Sequence, residues 1–167
     1  MGYARLVIIA VLVVVHALFG APAFLAGDDA PYLLRAAAYP FFHASWWHLA
    51  VNCLAIWTIF RDSKSLQGLQ GIIPAFVISL LVYPLSFRPV IGFSNILYAA
   101  IGLRTPPLSS PWWRRKEVAV FLAVSVAMVV LPMFSATTHL AAFAAGVAVA
   151  AARRGYEKTI GDARRYL

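Results

Sequence analysis

The chain has 167 residues, 62% of them hydrophobic and only 12% charged, where soluble domains carry about 25% charged residues. That balance excludes a soluble globular domain and specifies an integral membrane protein, read as a single domain over 1–167. The net charge of +8 does not point to a nucleic-acid partner, because the basic residues flank apolar runs and form no aromatic-interleaved stripe.

In chain order, six apolar segments predict transmembrane helices at 6–25, 46–60, 72–87, 90–103, 118–134 and 138–152. A straight span needs about 20 residues. The second, third, fourth and sixth segments are shorter, which membranes tolerate where a helix ends against protein or a water-filled recess. The first segment follows Arg5 and ends in Ala21-Pro22-Ala23, a pattern it shares with cleaved signal peptides. Cleavage there would leave five spans and the same orientation for the rest. Segment 105–111 is a cytoplasmic loop, and 153–167 is a basic tail suited to an anionic leaflet. With the N-terminus inside, twelve of the fourteen Lys and Arg residues fall on the inner side, leaving Arg35 and Arg88 outside. Both termini are therefore expected in the cytoplasm. Cys53 lies alone in an apolar run, so there is neither a disulfide framework nor a thiolate metal site.

Polar residues inside the spans carry the information. Those singled out are His16; His43, His48 and Asn52; Ser94, Asn95 and Tyr98; and His139. No acidic residue lies well inside a span, which argues against a carboxylate proton relay or a carboxylate-bound metal. Segments two, four and six all run from outside to inside. His48 with Asn52, Ser94 at about four residues into its segment, and His139 thus share one depth near the outer face. His48 and Asn52 are spaced i,i+4, as are Ser94 and Tyr98. Gly102 extends the second stripe, while Ala142 and Gly146 continue below His139 as small residues that let helices approach. Packing along Gly102, Ala142 and Gly146 would bring Ser94 and His139 together.

Serine beside histidine is the minimum for nucleophilic catalysis, since imidazole can take the hydroxyl proton and return it to a leaving amine. Acyl transfer also needs donors aimed at the developing oxyanion; His48, Asn52 and the Ser94 backbone N–H are the candidates. Tyr98, one turn below Ser94, is the natural ring for His139 to stack on. His16 and Cys53 are read as packing residues. Trp46, Trp47, Trp112 and Trp113 are read as interfacial belts.

Three stretches, His43-Ala-Ser-Trp-Trp-His48-Leu-Ala-Val-Asn52, Gly92-Phe93-Ser94-Asn95 with Tyr98, and His139-Leu-Ala-Ala142-Phe-Ala-Ala-Gly146, together resemble the rhomboid intramembrane serine proteases. Arg35, eight residues before His43, matches the arginine of the family's first-loop Trp-Arg pair. The resemblance covers about residues 30–150. It implies an all-α polytopic bundle of six transmembrane helices, Ser94 as nucleophile, His139 as general base, and His48 and Asn52 in the oxyanion site. It also implies Tyr98 as support for His139, His43 as a structural residue near the cavity, no metal or organic cofactor, and membrane-anchored protein substrates cut near the outer boundary. A prokaryotic plasma membrane suits so small a core.

The chain departs from the family pattern at named positions. Asn95 replaces the glycine after the serine, either crowding the oxyanion pocket or adding a donor to it. Ala142 replaces the first glycine of the last motif and implies slightly wider spacing of segments four and six. Leu34 replaces the first-loop tryptophan, and Arg61 and Lys64 stand where many members have Gly-Gly and a glutamate. Two rival readings follow: an inactive rhomboid-like protein that binds transmembrane helices, and a small transporter. Transporters tend to show internal repeats and broken midplane helices, and the sequence shows neither.

Overall fold

The computed structural model describes residues 3–21, 31–60, 69–86, 90–105 and 136–163, and their regular structure is entirely helical. Six α-helices lie among them: α1 (Tyr3–Phe19), α2 (Tyr32–Ala38), α3 (Trp46–Ile59), α4 (Leu69–Val82), α5 (Ser94–Arg104) and α6 (Ala136–Ala163). Short 3-10 turns at Tyr39–Phe41 and Tyr83–Leu85 follow α2 and α4. The span expected at 118–134 lies outside the described residues, as do Arg61, Lys64, Trp112 and Trp113.

Helix length sorts these elements. The 28 residues of α6 reach about 42 Å, past the roughly 30 Å of a bilayer core. Within it, Ala136–Gly161 is the one helix among the described residues long and apolar enough to cross a membrane by itself. The 14 residues of α3 and the 11 of α5 extend only about 21 and 16 Å. A helix that short is viable in hydrocarbon only when protein surrounds its ends, and α5 meets that condition. Every residue from Asn95 to Gly102 is buried, so α5 is enclosed on all sides, as expected of a core helix that is not amphipathic. Its neighbours are α3, α4 and α6. Leu12, Leu49, Ile56, Ala75, Ile78, Ile96, Leu97 and Ala142 join these helices and α1 into one apolar core.

Two glycines set the closest contact. A Cβ on Gly102 would strike the Phe143 carbonyl and come within 3.0 Å of the Gly146 Cα; one on Gly146 would strike the Ala99 carbonyl. Helices α5 and α6 therefore touch backbone to backbone. Ala142 does not impose the wider spacing that its extra methyl suggests, because the approach is decided one turn lower.

Helix α5 begins at Ser94, later than the segment 90–103 implies. Gly92 has φ +113°, a conformation that a right-handed helix of L-residues cannot contain. Ser94 is thus the first helical residue and does not sit a turn inside. At the opposite end of α5, Arg104 Nη1 donates to the Ile59 carbonyl at 2.8 Å and Arg154 Nη1 donates to the Thr105 carbonyl at 2.9 Å. Both cations answer the exposed carbonyls and negative dipole of helix C-termini. The Arg5 guanidinium sits 4.0 Å over the Trp57 ring. Arginines thus gather at the end of the bundle away from Ser94.

Candidate active site

The site is assembled from the starts of three helices. Ser45 is the N-cap of α3, and its Oγ accepts the His48 N–H at 3.1 Å. This cap holds His48 in the first turn. Asn52, one turn on, is buried, and its Nδ2 donates to the His48 carbonyl at 2.9 Å. One amide hydrogen of Asn52 is therefore committed to its own helix, and the other has no partner among the described residues. The His48 ring lies against the turn before Ser94, where a Cβ on Gly92 would fall 2.7 Å from His48 Cε1. A glycine is needed there for both space and φ.

His43 grips the same turn. It is fully buried, its Nε2 accepts the Phe93 N–H at 3.5 Å, and its ring lies 5.1 Å from that of His48. Burial, then the nearby His48 and His16, pushes His43 down to about 3, so the ring stays neutral and able to accept. His16 is also buried, edge-on to Trp46 at 4.5 Å and to His43 at 6.4 Å. It packs α1 against this corner.

At the start of α5 the first helical hydrogen bonds run from Ile96 N–H and Leu97 N–H to the Phe93 carbonyl, at 3.1 and 3.3 Å. The N–H groups of Ser94 and Asn95 precede these bonds and have no partner within the helix. From α6, His139 presents Nε2 to Ser94 Oγ at 2.6 Å. Its ring stacks on Tyr98 with centroids 4.6 Å apart and planes 15° from parallel. For Nε2 to accept the serine proton, the ring hydrogen must be on Nδ1, which is buried and has no hydrogen-bond partner among the described residues. Leaving such an N–H unmatched costs about 1–3 kcal/mol. The stack on Tyr98 covers one face of the ring.

Asn95 goes elsewhere. It is fully buried, and its Nδ2 donates to Tyr39 Oη at 3.1 Å. Tyr39 Oη in turn lies 2.5 Å from Ser79 Oγ and donates to the Ser79 carbonyl at 3.3 Å. Burial raises the Tyr39 phenol above its ordinary range, keeping it protonated. Sequence reasoning passed over Tyr39, Ser79 and Ser45. Ser79 carried a usable signal, being a hydroxyl inside an apolar span, and Ser45 carried another, a capping residue three before His48. Tyr39 carried none.

A family model described as Rhomboid domain matches residues 30–155, a stretch that takes in all three helix starts. The chain belongs to the rhomboid family. No curated protein matches it. Rhomboids are integral membrane proteins, generally serine proteases acting on transmembrane substrates in the bilayer, and some members are inactive. In this rhomboid the serine, the two flanking histidines and the tyrosine ring come from positions 41 residues or more apart in sequence, apart from the Ser94–Tyr98 pair within one helix.

Proposed function

We propose that this rhomboid is an active intramembrane serine endopeptidase with Ser94 as nucleophile and His139 as general base. The observation that carries the reading is the 2.6 Å approach of Ser94 Oγ to His139 Nε2, within hydrogen-bond reach for proton transfer. Oγ attacks the scissile carbonyl carbon as its proton passes to Nε2. The oxyanion receives the Ser94 N–H, the His48 imidazole and the uncommitted Asn52 amide hydrogen, at the positive end of the α5 dipole. The tetrahedral intermediate collapses, the C–N bond breaks, and His139 protonates the departing amine. Water then attacks the Ser94 ester with His139 again as base, releasing the new carboxylate and restoring the hydroxyl.

The substrates are membrane-anchored proteins cut near the outer boundary, the enzyme is multi-pass with both termini cytoplasmic, and no cofactor takes part. A fluorophosphonate probe tests this directly. Wild-type protein in detergent should be labelled at Ser94, and Ser94→Ala and His139→Ala should not be. Ser94→Ala should also abolish cleavage of a model transmembrane substrate with thermal stability nearly unchanged. Binding of transmembrane helices without labelling or cleavage would instead identify an inactive, helix-binding rhomboid.

A further inference from the structure

The serine-bearing turn is held by a side-chain pair that lies outside the reacting groups. Tyr39 grips this turn twice: its carbonyl accepts the Gly92 N–H at 2.9 Å, and its phenol accepts the Asn95 amide at 3.1 Å. These contacts lie one on each side of Ser94. Tyr39 is itself anchored. It is fully buried, its ring stacks on Tyr83 with centroids 5.0 Å apart and planes 21° from parallel, and its hydroxyl is bound to Ser79 of α4. One proton arrangement satisfies every contact, with Asn95 Nδ2 and Ser79 Oγ donating to Tyr39 Oη while Tyr39 donates to the Ser79 carbonyl. The Asn95 Oδ1 remains buried without a hydrogen-bond partner among the described residues. A buried amide kept in this half-matched state, directly after the nucleophile, calls for an explanation.

We propose that Tyr39 and Asn95 form a latch that positions Ser94 against His139, with Ser79 fixing the latch to α4. Both are positioning residues acting through Ser94, and the inference rests on the reading of Ser94 as nucleophile. Asn95 is then neither a crowding residue nor an oxyanion donor. It replaces the rigidity that backbone packing alone would supply at a glycine, using a hydrogen bond to a segment 56 residues away.

Tyr39→Phe is the informative variant, because it removes the phenol oxygen but keeps the ring stack and the Gly92 bond. Asn95→Ala removes the other half. In both, the rate of Ser94 phosphonylation and the kcat for a transmembrane substrate should fall about 10- to 100-fold. KM should not change, since ground-state binding is untouched. The double variant should be no slower than the worse single one, and amide hydrogen exchange over 92–96 should quicken in all three. Asn95→Gly should also lower the rate. Wild-type labelling with rates in the variants unchanged, or with losses that simply multiply, overturns the latch and leaves the serine reading standing. If wild-type protein resists the probe, the serine reading falls and exchange decides alone: faster exchange in Tyr39→Phe supports the latch, and unchanged exchange overturns it.

Discussion

At position 92 any side chain would collide with His48 before meeting anything else. Gly92→Ala would place a methyl 2.7 Å from His48 Cε1 at a φ of +113°. The strained backbone alone costs about 1–2 kcal/mol, and relief by moving His48 or the turn would displace the proposed oxyanion donors. The variant should unfold at lower temperature in a detergent melt and react with a fluorophosphonate at least about tenfold more slowly. Tyr98 acts on the other partner. Tyr98→Leu keeps an apolar filler at a buried position but removes the face on which His139 lies. Phosphonylation should slow by about 10- to 100-fold, and an unchanged rate would mean that the imidazole is held by something other than the stack.

Between elements, the α5–α6 contact carries the geometry. Gly146→Val forces apart two backbones that meet at Gly102. Overpacking of this kind usually costs about 1–3 kcal/mol, and here it also separates the helices that bring Ser94 and His139 together. Thermal stability and labelling should fall together, whereas a variant at exposed Leu140 should alter neither. The turn between α2 and α3 adds a pH dependence through His43. Its folded value of about 3 lies below the 6.5 of an unfolded histidine. Between these values the unfolded chain binds a proton that the folded one does not, so the contribution is fully present above about 6.5 and is lost as pH falls toward 3. Protonation would also cost Phe93 N–H its acceptor. Melting temperature should decline from pH 7 to pH 4, and His43→Gln should flatten that decline; an equal slope would assign it to another group.

On the scale of the whole molecule, Arg5, Arg104 and Arg154 lie at the end of the described bundle away from Ser94. Arg104 and Arg154 cap helix ends away from Ser94, the end that the arginine count assigns to the cytoplasm. In a Cys53→Ser background, Asp28→Cys should react with an impermeant maleimide added to intact cells. Arg165→Cys should react only after lysis, and the reverse pattern would invert the topology. Membrane class and family could be read from the sequence because apolar content and motif residues are properties of the chain in one dimension. The polar residues worth watching were visible for the same reason, since each stands out against hydrocarbon. Where Asn95 points, why α5 starts at Ser94, and how closely α5 meets α6 could not be read that way. Those depend on a single glycine dihedral and on which backbone packs against which, so only the tertiary structure decided that Ser94 faces His139 while its neighbour turns to Tyr39.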